Sequence, residues 1–298
     1  MNQEGQIGTR SRMPLHVFWE QEEGGISPEQ VAEVFQKIRQ EKYLIHMLPN
    51  GVSAALCGDG LSALGARPLM AVAPEEMEEI VPQVDGCVVN LGQLNQEKIR
   101  AARLIMECVA AKKKPLVVDP VGCGASIFRL QAVQELMKIP WKGIIKGNRS
   151  EIYSIQQGKL TKEGIDSFKK HSLTNQLRPG SAYFITGQPD CILWEGGGVV
   201  ISHESPLQQN ILGSGCLTGA VTGACSSAVY EMHGVDGEWM KLAAVSASLG
   251  MAFVLEYARR KKGYGEVKMA LLDGLCLLSE TCFLDWLRVK ANESMEGV

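Results

Sequence analysis

Neither sign of charge dominates this chain of 298 residues, which sets 30 basic against 33 acidic side chains for a net charge of −3. A balance so near neutral excludes a dedicated nucleic-acid-binding protein, whose footprint is a basic excess. Disorder is excluded as well, because hydrophobic residues make up 45% and charged ones 21%, enough apolar surface to build a core. Aromatics are sparse at 6%. No cysteine pair has CxxC spacing, and the nine cysteines form an odd set: Cys57, Cys87, Cys108, Cys123, Cys191, Cys216, Cys225, Cys276 and Cys282. They read as the reduced thiols of a cytoplasmic protein. No two histidines stand at ligand spacing, which argues against a zinc site. The first twelve residues, MNQEGQIGTRSR, lack the apolar centre of a secretory signal, so no export is expected. The longest charge-free stretch, Ser205 to Tyr230, could span a bilayer by length. Gln208, Gln209, Asn210 and repeated Gly, Ser and Thr within it fit a buried helix better, so no membrane is expected.

Glycine is abundant, 32 of the 298 residues, or about 11% against a usual ~7%, which implies tight turns and close backbone approaches. Short β-branched runs alternate with longer segments of helical period, the pattern of an α/β protein with a mostly parallel sheet covered on both faces. Ser27-Pro28-Glu29 reads as a helix start, followed by Val31, Val34, Phe35 and Ile38 at helical spacing. Strands are expected at 43–48, 69–72, 86–91, 115–119, 143–147 and 183–187, and a hairpin at 191–201. A small-residue helix containing Gly58 and Gly60 follows Asn50. Such glycines cost about 1 kcal/mol each and call for close packing or a ligand. Asn95 caps a helix ending in Lys112-Lys113-Lys114, and 266–289 reads as the last long helix. With no repeat and no linker, the chain reads as a flexible arm, 1–25, and a single domain, 26–298.

Chemistry concentrates in a few short motifs. Asn210-Ile211-Leu212-Gly213-Ser214-Gly215-Cys216 runs directly into LTGAVTGACSSAVY. Glycines let amide groups converge and a helix start adds its positive dipole end, so the loop can cradle a phosphate or form a plain turn under a small-residue helix. Asp119-Pro120-Val121-Gly122-Cys123-Gly124, then Phe128-Arg129, and Gly147-Asn148-Arg149-Ser150-Glu151 each follow an expected strand. In open α/β sheets ligands lie outside those carboxyl ends. Carboxylates beside an amide oxygen suit Mg²⁺ shared with phosphates. The plainer alternatives are that Asp119 caps a helix, that Glu151 is an ordinary first-turn acid and that Arg129 pairs at the surface.

DPVGCGASIFR, GNRSEI, ITGQPD and GSGC, in this order, resemble the hydroxyethylthiazole kinases of the ribokinase-like superfamily, over about residues 30–285. IHMLPN, LSALGARPLM and VNLGQL are similar to the family's preceding segments. The resemblance implies a three-layer α/β/α sandwich and transfer of the γ-phosphoryl group of ATP to the hydroxyl of 4-methyl-5-(2-hydroxyethyl)thiazole in thiamine salvage. By position it implies Asn148 and Glu151 at the Mg²⁺, Arg129 and Thr186 at the ATP phosphates, and Asp119 as organiser of metal-bound water. Met70, Asn50 and Gly213 would border the substrate. Amides of Gly213, Ser214, Gly215 and Cys216 would hold charge developing on the phosphoryl oxygens. Cys216 stands where related sugar and pyrimidine kinases carry an aspartate base, and a modest role is expected of it, since phosphoryl transfer relies mainly on positioning and charge neutralisation. A homotrimer with sites between subunits is also implied. Pro49-Asn50 replaces the family's Thr-Asn, Asp59 its Asn, and Gly263-Tyr264-Gly265-Glu266 its Gly-Pro-Gly-Ser; the arm is longer and 156–181 looks compressed. A kinase for a hydroxymethylpyrimidine or pyridoxal type of alcohol, and a nucleotide-binding protein without turnover, are the alternative functions.

His46 reads as a core histidine bonded to backbone rather than a ligand contact, and His203 and His233 as loop residues. Arg259-Arg260-Lys261-Lys262 reads as a solvated helix end rather than a polyanion patch.

Overall fold

A computed structural model describes residues 25–161, 177–202, 211–234 and 239–295 of the protein. Most of the arm, much of the compressed stretch, Asn210 and His203 lie outside the described residues. In chain order the elements are α1 (Pro28–Glu41), β1 (Leu44–Leu48), α2 (Ala54–Leu64), β2 (Arg67–Leu69), α3 (Met77–Ile80), β3 (Gly86–Asn90), α4 (Gln96–Lys112), β4 (Leu116–Asp119), α5 (Ile127–Leu136), β5 (Gly143–Asn148), α6 (Arg149–Gln157), β6 (Ser181–Thr186), β7 (Asp190–Trp194), β8 (Gly197–Ile201), α7 (Ser214–His233), α8 (Trp239–Ala258), α9 (Tyr264–Cys276) and α10 (Thr281–Met295). One eight-stranded sheet runs β2-β1-β3-β4-β5-β6-β7-β8. It is parallel from β2 to β6, and the β7–β8 hairpin adds an antiparallel edge.

The period of two along the strands splits the interior into two cores. Ile45, Met47, Val88, Val117, Ile144, Ala182 and Phe184 face one layer, formed by α1, α2 and α7–α10. Cys87, Val89, Leu116, Val118, Ile145, Tyr183 and Ile185 face the other, formed by α3–α6. This is the expected three-layer α/β/α sandwich. Central strands buried on both faces read as continuous apolar runs, which is why they were legible without alternation.

Local signals hold at several helix ends. Ser27 and Gln30 form a capping box around Pro28, and Asn95 accepts from the Lys98 amide at 2.8 Å. Glycines in α2 answer to packing: a Cβ at Gly60 would lie 2.2 Å from Leu217 Cδ1, and one at Gly58 3.5 Å from Met70 Cε. Three expectations need correction. The second strand covers 67–69, ahead of the expected 69–72, because its pairing with Leu44–His46 ends at Leu69. The last helix is two helices. Leu278 turns into the core at the break, Glu280 is extended, and Arg39 of α1 donates to the Cys276 carbonyl at 3.1 Å and to Ser279 Oγ at 3.3 Å. His233 is the last residue of α7, not a loop residue.

The charge-free stretch becomes the buried helix α7 from Ser214 onward. Gly219, Gly223 and Ser227, four residues apart, lay one face of it flat on the sheet. A Cβ at Gly223 would lie 2.3 Å from Val88 Cγ2, and Ser227 Oγ stands 2.2 Å from where a Gly86 Cβ would be. The hydroxyls of Thr218, Thr222, Ser226 and Ser227 donate to carbonyls four residues back, at 2.7–3.1 Å, so the polar side chains are satisfied within the helix. Among the described residues α8 is long and apolar enough to cross a membrane by composition, but 83% of its apolar window is buried inside the protein.

Candidate active site

Parallel pairing aligns the strand ends, and the alignment assembles the site. Asn90 pairs with Asp119 across β3–β4, and Asn148 with Thr186 across β5–β6. Asp119 is fully buried. Its Oδ2 accepts from Lys146 Nζ at 3.3 Å and from Asn90 Nδ2 at 3.2 Å. Lys146, on β5 and 4% exposed, also donates to the Gly215 carbonyl at 2.9 Å. The ammonium therefore sits directly beneath the glycine loop, between a carboxylate and the first turn of α7. Burial pushes the Asp119 carboxyl up, to about 6, against the pull of Lys146. Burial works against the Lys146 ammonium, yet Asp119 and Glu151 outweigh it and hold its pKa above the usual value.

Gly213 opens α7 at φ +89°, a left-handed conformation suited to glycine. A Cβ there would also lie 2.8 Å from Ser53 Cβ. No side chain caps this helix. The Ser214 amide turns back to the Ile211 carbonyl at 3.1 Å, so the Gly215 and Cys216 amides are the first-turn donors left for a ligand among the described residues. Cys216 is buried, 8% exposed, in the same turn. The neighbouring Cys57 thiol is pushed up to about 12, by burial first and by Cys216 second, and is inert.

Asn148 and Glu151 form a reciprocal cap on α6. Asn148 Oδ1 accepts the Glu151 amide at 2.9 Å, and Glu151 Oε2 accepts the Asn148 amide at 2.8 Å. Glu151 Oε1 reaches further and accepts the Gly122 amide at 2.8 Å, tying α6 to the DPVGCG loop. Both residues thus carry a structural duty, the plainer reading of Glu151, in addition to any ligand role. Arg129, half-buried on the first turn of α5, folds back over that loop and donates to the Val121 carbonyl at 3.3 Å. Among the described residues no group of three or more His, Cys, Asp or Glu could hold a metal by itself. Asp119 Oδ1 is buried without a partner. That donor set fits a hydrated magnesium shared with phosphates rather than a dedicated protein cage.

Asn50 lies on the loop after β1, where its Oδ1 accepts the Val52 amide at 3.2 Å. That loop is wedged between Gly92, whose added Cβ would stand 2.4 Å from Asn50 Nδ2, and Gly213 on the far side. Met70, half-buried at the end of β2, reaches α2 at Gly58. Asp59, next to Gly58 in α2, is exposed. His46 is fully buried with Nε2 against the Ala71 carbonyl at 3.1 Å, the core role expected of it, and burial lowers its pKa. Sequence reading passed over Lys146, Asn90 and Lys98. Lys146 left a signal, a lone charge inside the apolar strand GIIKGN, and Asn90 another, as the polar end of the apolar strand GCVVN within VNLGQL; Lys98 left none.

A family profile, "HK: Hydroxyethylthiazole kinase family", matches residues 35–281. A hydroxyethylthiazole kinase of Methanocorpusculum labreanum is 30% identical over 269 residues, covering 87% of this chain and 97% of that protein. One from Staphylococcus aureus strain MSSA476 is 31% identical over 262 residues, covering 86% and 97%. The solved structure of the hydroxyethylthiazole kinase protein from Pyrococcus horikoshii OT3 superposes with a TM-score of 0.73 at 28% identity, covering 85% of this chain and 95% of that one. With its three-layer α/β/α sandwich, the chain belongs to the hydroxyethylthiazole kinase family.

Proposed function

We propose that the protein transfers the γ-phosphoryl group of ATP to the primary hydroxyl of 4-methyl-5-(2-hydroxyethyl)thiazole in thiamine salvage. The observation that carries the reading is the placement of the Lys146 ammonium, held by Asp119, under the uncapped first turn of α7. A buried cation and two free amides at this turn would stabilise the charge that spreads over phosphoryl oxygens as the bond to ADP loosens. The alcohol oxygen attacks phosphorus in line, the bond to the ADP oxygen breaks, and the alcohol proton leaves to Cys216 or to solvent. Mg²⁺, when bound, neutralises phosphate charge; Asn148 and Glu151 would hold it, with Asp119 at its water shell. Arg129 and Thr186 would meet the ATP phosphates. Asn50, Met70 and Gly213 would border the thiazole. The protein acts in the cytoplasm as a homotrimer with sites between subunits. The exposure of Val52 (52%) and Leu212 (67%), one beside Asn50 and one beside Gly213, supports a covered site rim.

Mass spectrometry of products after incubation with Mg-ATP and the thiazole alcohol tests the assignment, with hydroxymethylpyrimidine and pyridoxal as competitors. Selective thiazole phosphate is expected. A different phosphorylated alcohol would replace the substrate, and ATP binding with no product from any of them would remove the activity.

A further inference from the structure

Lys98 occupies an electrostatically poor place. It lies in the first turn of α4, where the helix dipole disfavours a cation, and it is half-buried. Its side chain does not run out to solvent. It bends back over the strand ends and donates to two carbonyls, Pro49 on the loop after β1 and Gly92 on the loop after β3, both at 2.6 Å. The two loops are already interlocked. Gly92 has no room for a Cβ beside Asn50 across the gap, and within its own loop its amide is held by Asn90 Oδ1 at 2.9 Å. A charge held against both burial and the helix dipole, by short bonds to two loops, serves those loops rather than α4.

We propose that Lys98 is a positioning residue for the alcohol subsite: its ammonium clamps the loop after β1 to the loop after β3 and so holds Asn50 and Ser53 against Gly213 at the start of α7. The inference rests on the reading of this region as the alcohol pocket. It also gives Pro49 a role, since the clamp holds that residue through its carbonyl. Charge matters to the clamp, because hydrogen bonds from a charged donor are roughly twice as strong as neutral ones. Burial lowers the Lys98 pKa to about 8; of the titratable groups acting on it, Cys216 of α7 opposes that shift and Arg129 of α5 adds to it. The ammonium is charged below that pH and lost above it, so alcohol binding weakens as pH rises through about 8.

Lys98→Met keeps the aliphatic stem and removes the donors, while Lys98→Arg keeps charge and donors. With Met, KM for the alcohol is expected to rise about tenfold, with KM for ATP within about twofold. Arg is expected to restore most of the loss. The wild-type rise in alcohol KM between pH 7 and 9 should vanish in the Met variant. Hydrogen exchange supplies a readout independent of substrate. The Val52 and Ser53 amides, bonded to Asn50 Oδ1 and to the Asn50 carbonyl, should exchange faster in Lys98→Met. An equal rise in both KM values, an unchanged alcohol KM, or unchanged exchange at 52–53 would overturn the proposal. Failure of the wild type to phosphorylate the thiazole would instead remove the substrate reading, and the exchange comparison would still decide the clamp.

Discussion

Two side chains at the first turn of α7, Cys216 within it and Lys146 of β5 beneath it, are expected to act differently. Cys216 is in place to accept a proton, but a loose transition state asks for little early deprotonation. Cys216→Ala is therefore expected to lower kcat by less than the about 100-fold typical of losing a full general base. Steady-state kinetics beside Glu151→Ala checks this, and an equal, complete loss in both variants would assign Cys216 the base. Lys146 is the opposite case. Its side chain is 4% exposed and that of its partner Asp119 is 1% exposed. Lys146→Met strands a buried carboxylate, a loss of about 3–5 kcal/mol where the charge stays uncompensated, and frees the Gly215 carbonyl. Denaturant unfolding together with kcat should show both a less stable fold and a loss of turnover of about 100-fold or more. A stable variant with normal kcat would take Lys146 out of the site.

At the scale of elements, α7 shapes the packing around the candidate site. Its small residues let it approach the sheet closely enough for Gly219 to face Asp119, with 3.2 Å between an added Cβ and Asp119 Oδ2. The same close packing reaches α2. Gly60→Ala would drive a methyl group into Leu217 and is expected to destabilise by about 1–3 kcal/mol, as overpacked cores do. Gly265→Ala, in the first turn of α9 with nothing within 4 Å of the added Cβ, should be neutral or stabilising by about 0.4–1 kcal/mol. Melting temperatures of the pair separate packing from helix propensity, and equal shifts would contradict the packing account. The break before α10 is a further tertiary effect. Nothing in 266–289 forbids one helix, but Arg39, from a helix more than two hundred residues earlier, takes the carbonyl at the break.

For the whole molecule, Val52 and Leu212 are exposed apolar side chains, one close in sequence to Asn50 and the other next to Gly213. If three copies share their sites, light scattering at working concentration should give about three times the 32.4 kDa chain mass. A monomeric mass with full activity would show that one chain completes the site.

Much of this protein is determined by sequence alone. Alternating β-branched and helical segments specify the sandwich, because each element must bury an apolar face and only stacked layers bury them all. Capping residues such as Ser27 and Asn95 mark helix starts, because the free amides there need local acceptors. Motif order placed Asp119, Asn148 and Thr186 at the carboxyl ends of strands, and Glu151 and Gly213 at helix starts. Only the tertiary structure decided how they are used. Lys146 and Lys98 reach the candidate site through contacts with residues far off in the chain, Gly215 for one and Pro49 for the other. No periodicity records such contacts, because burial of a charge is resolved by whichever partners the packed chain brings within hydrogen-bond reach.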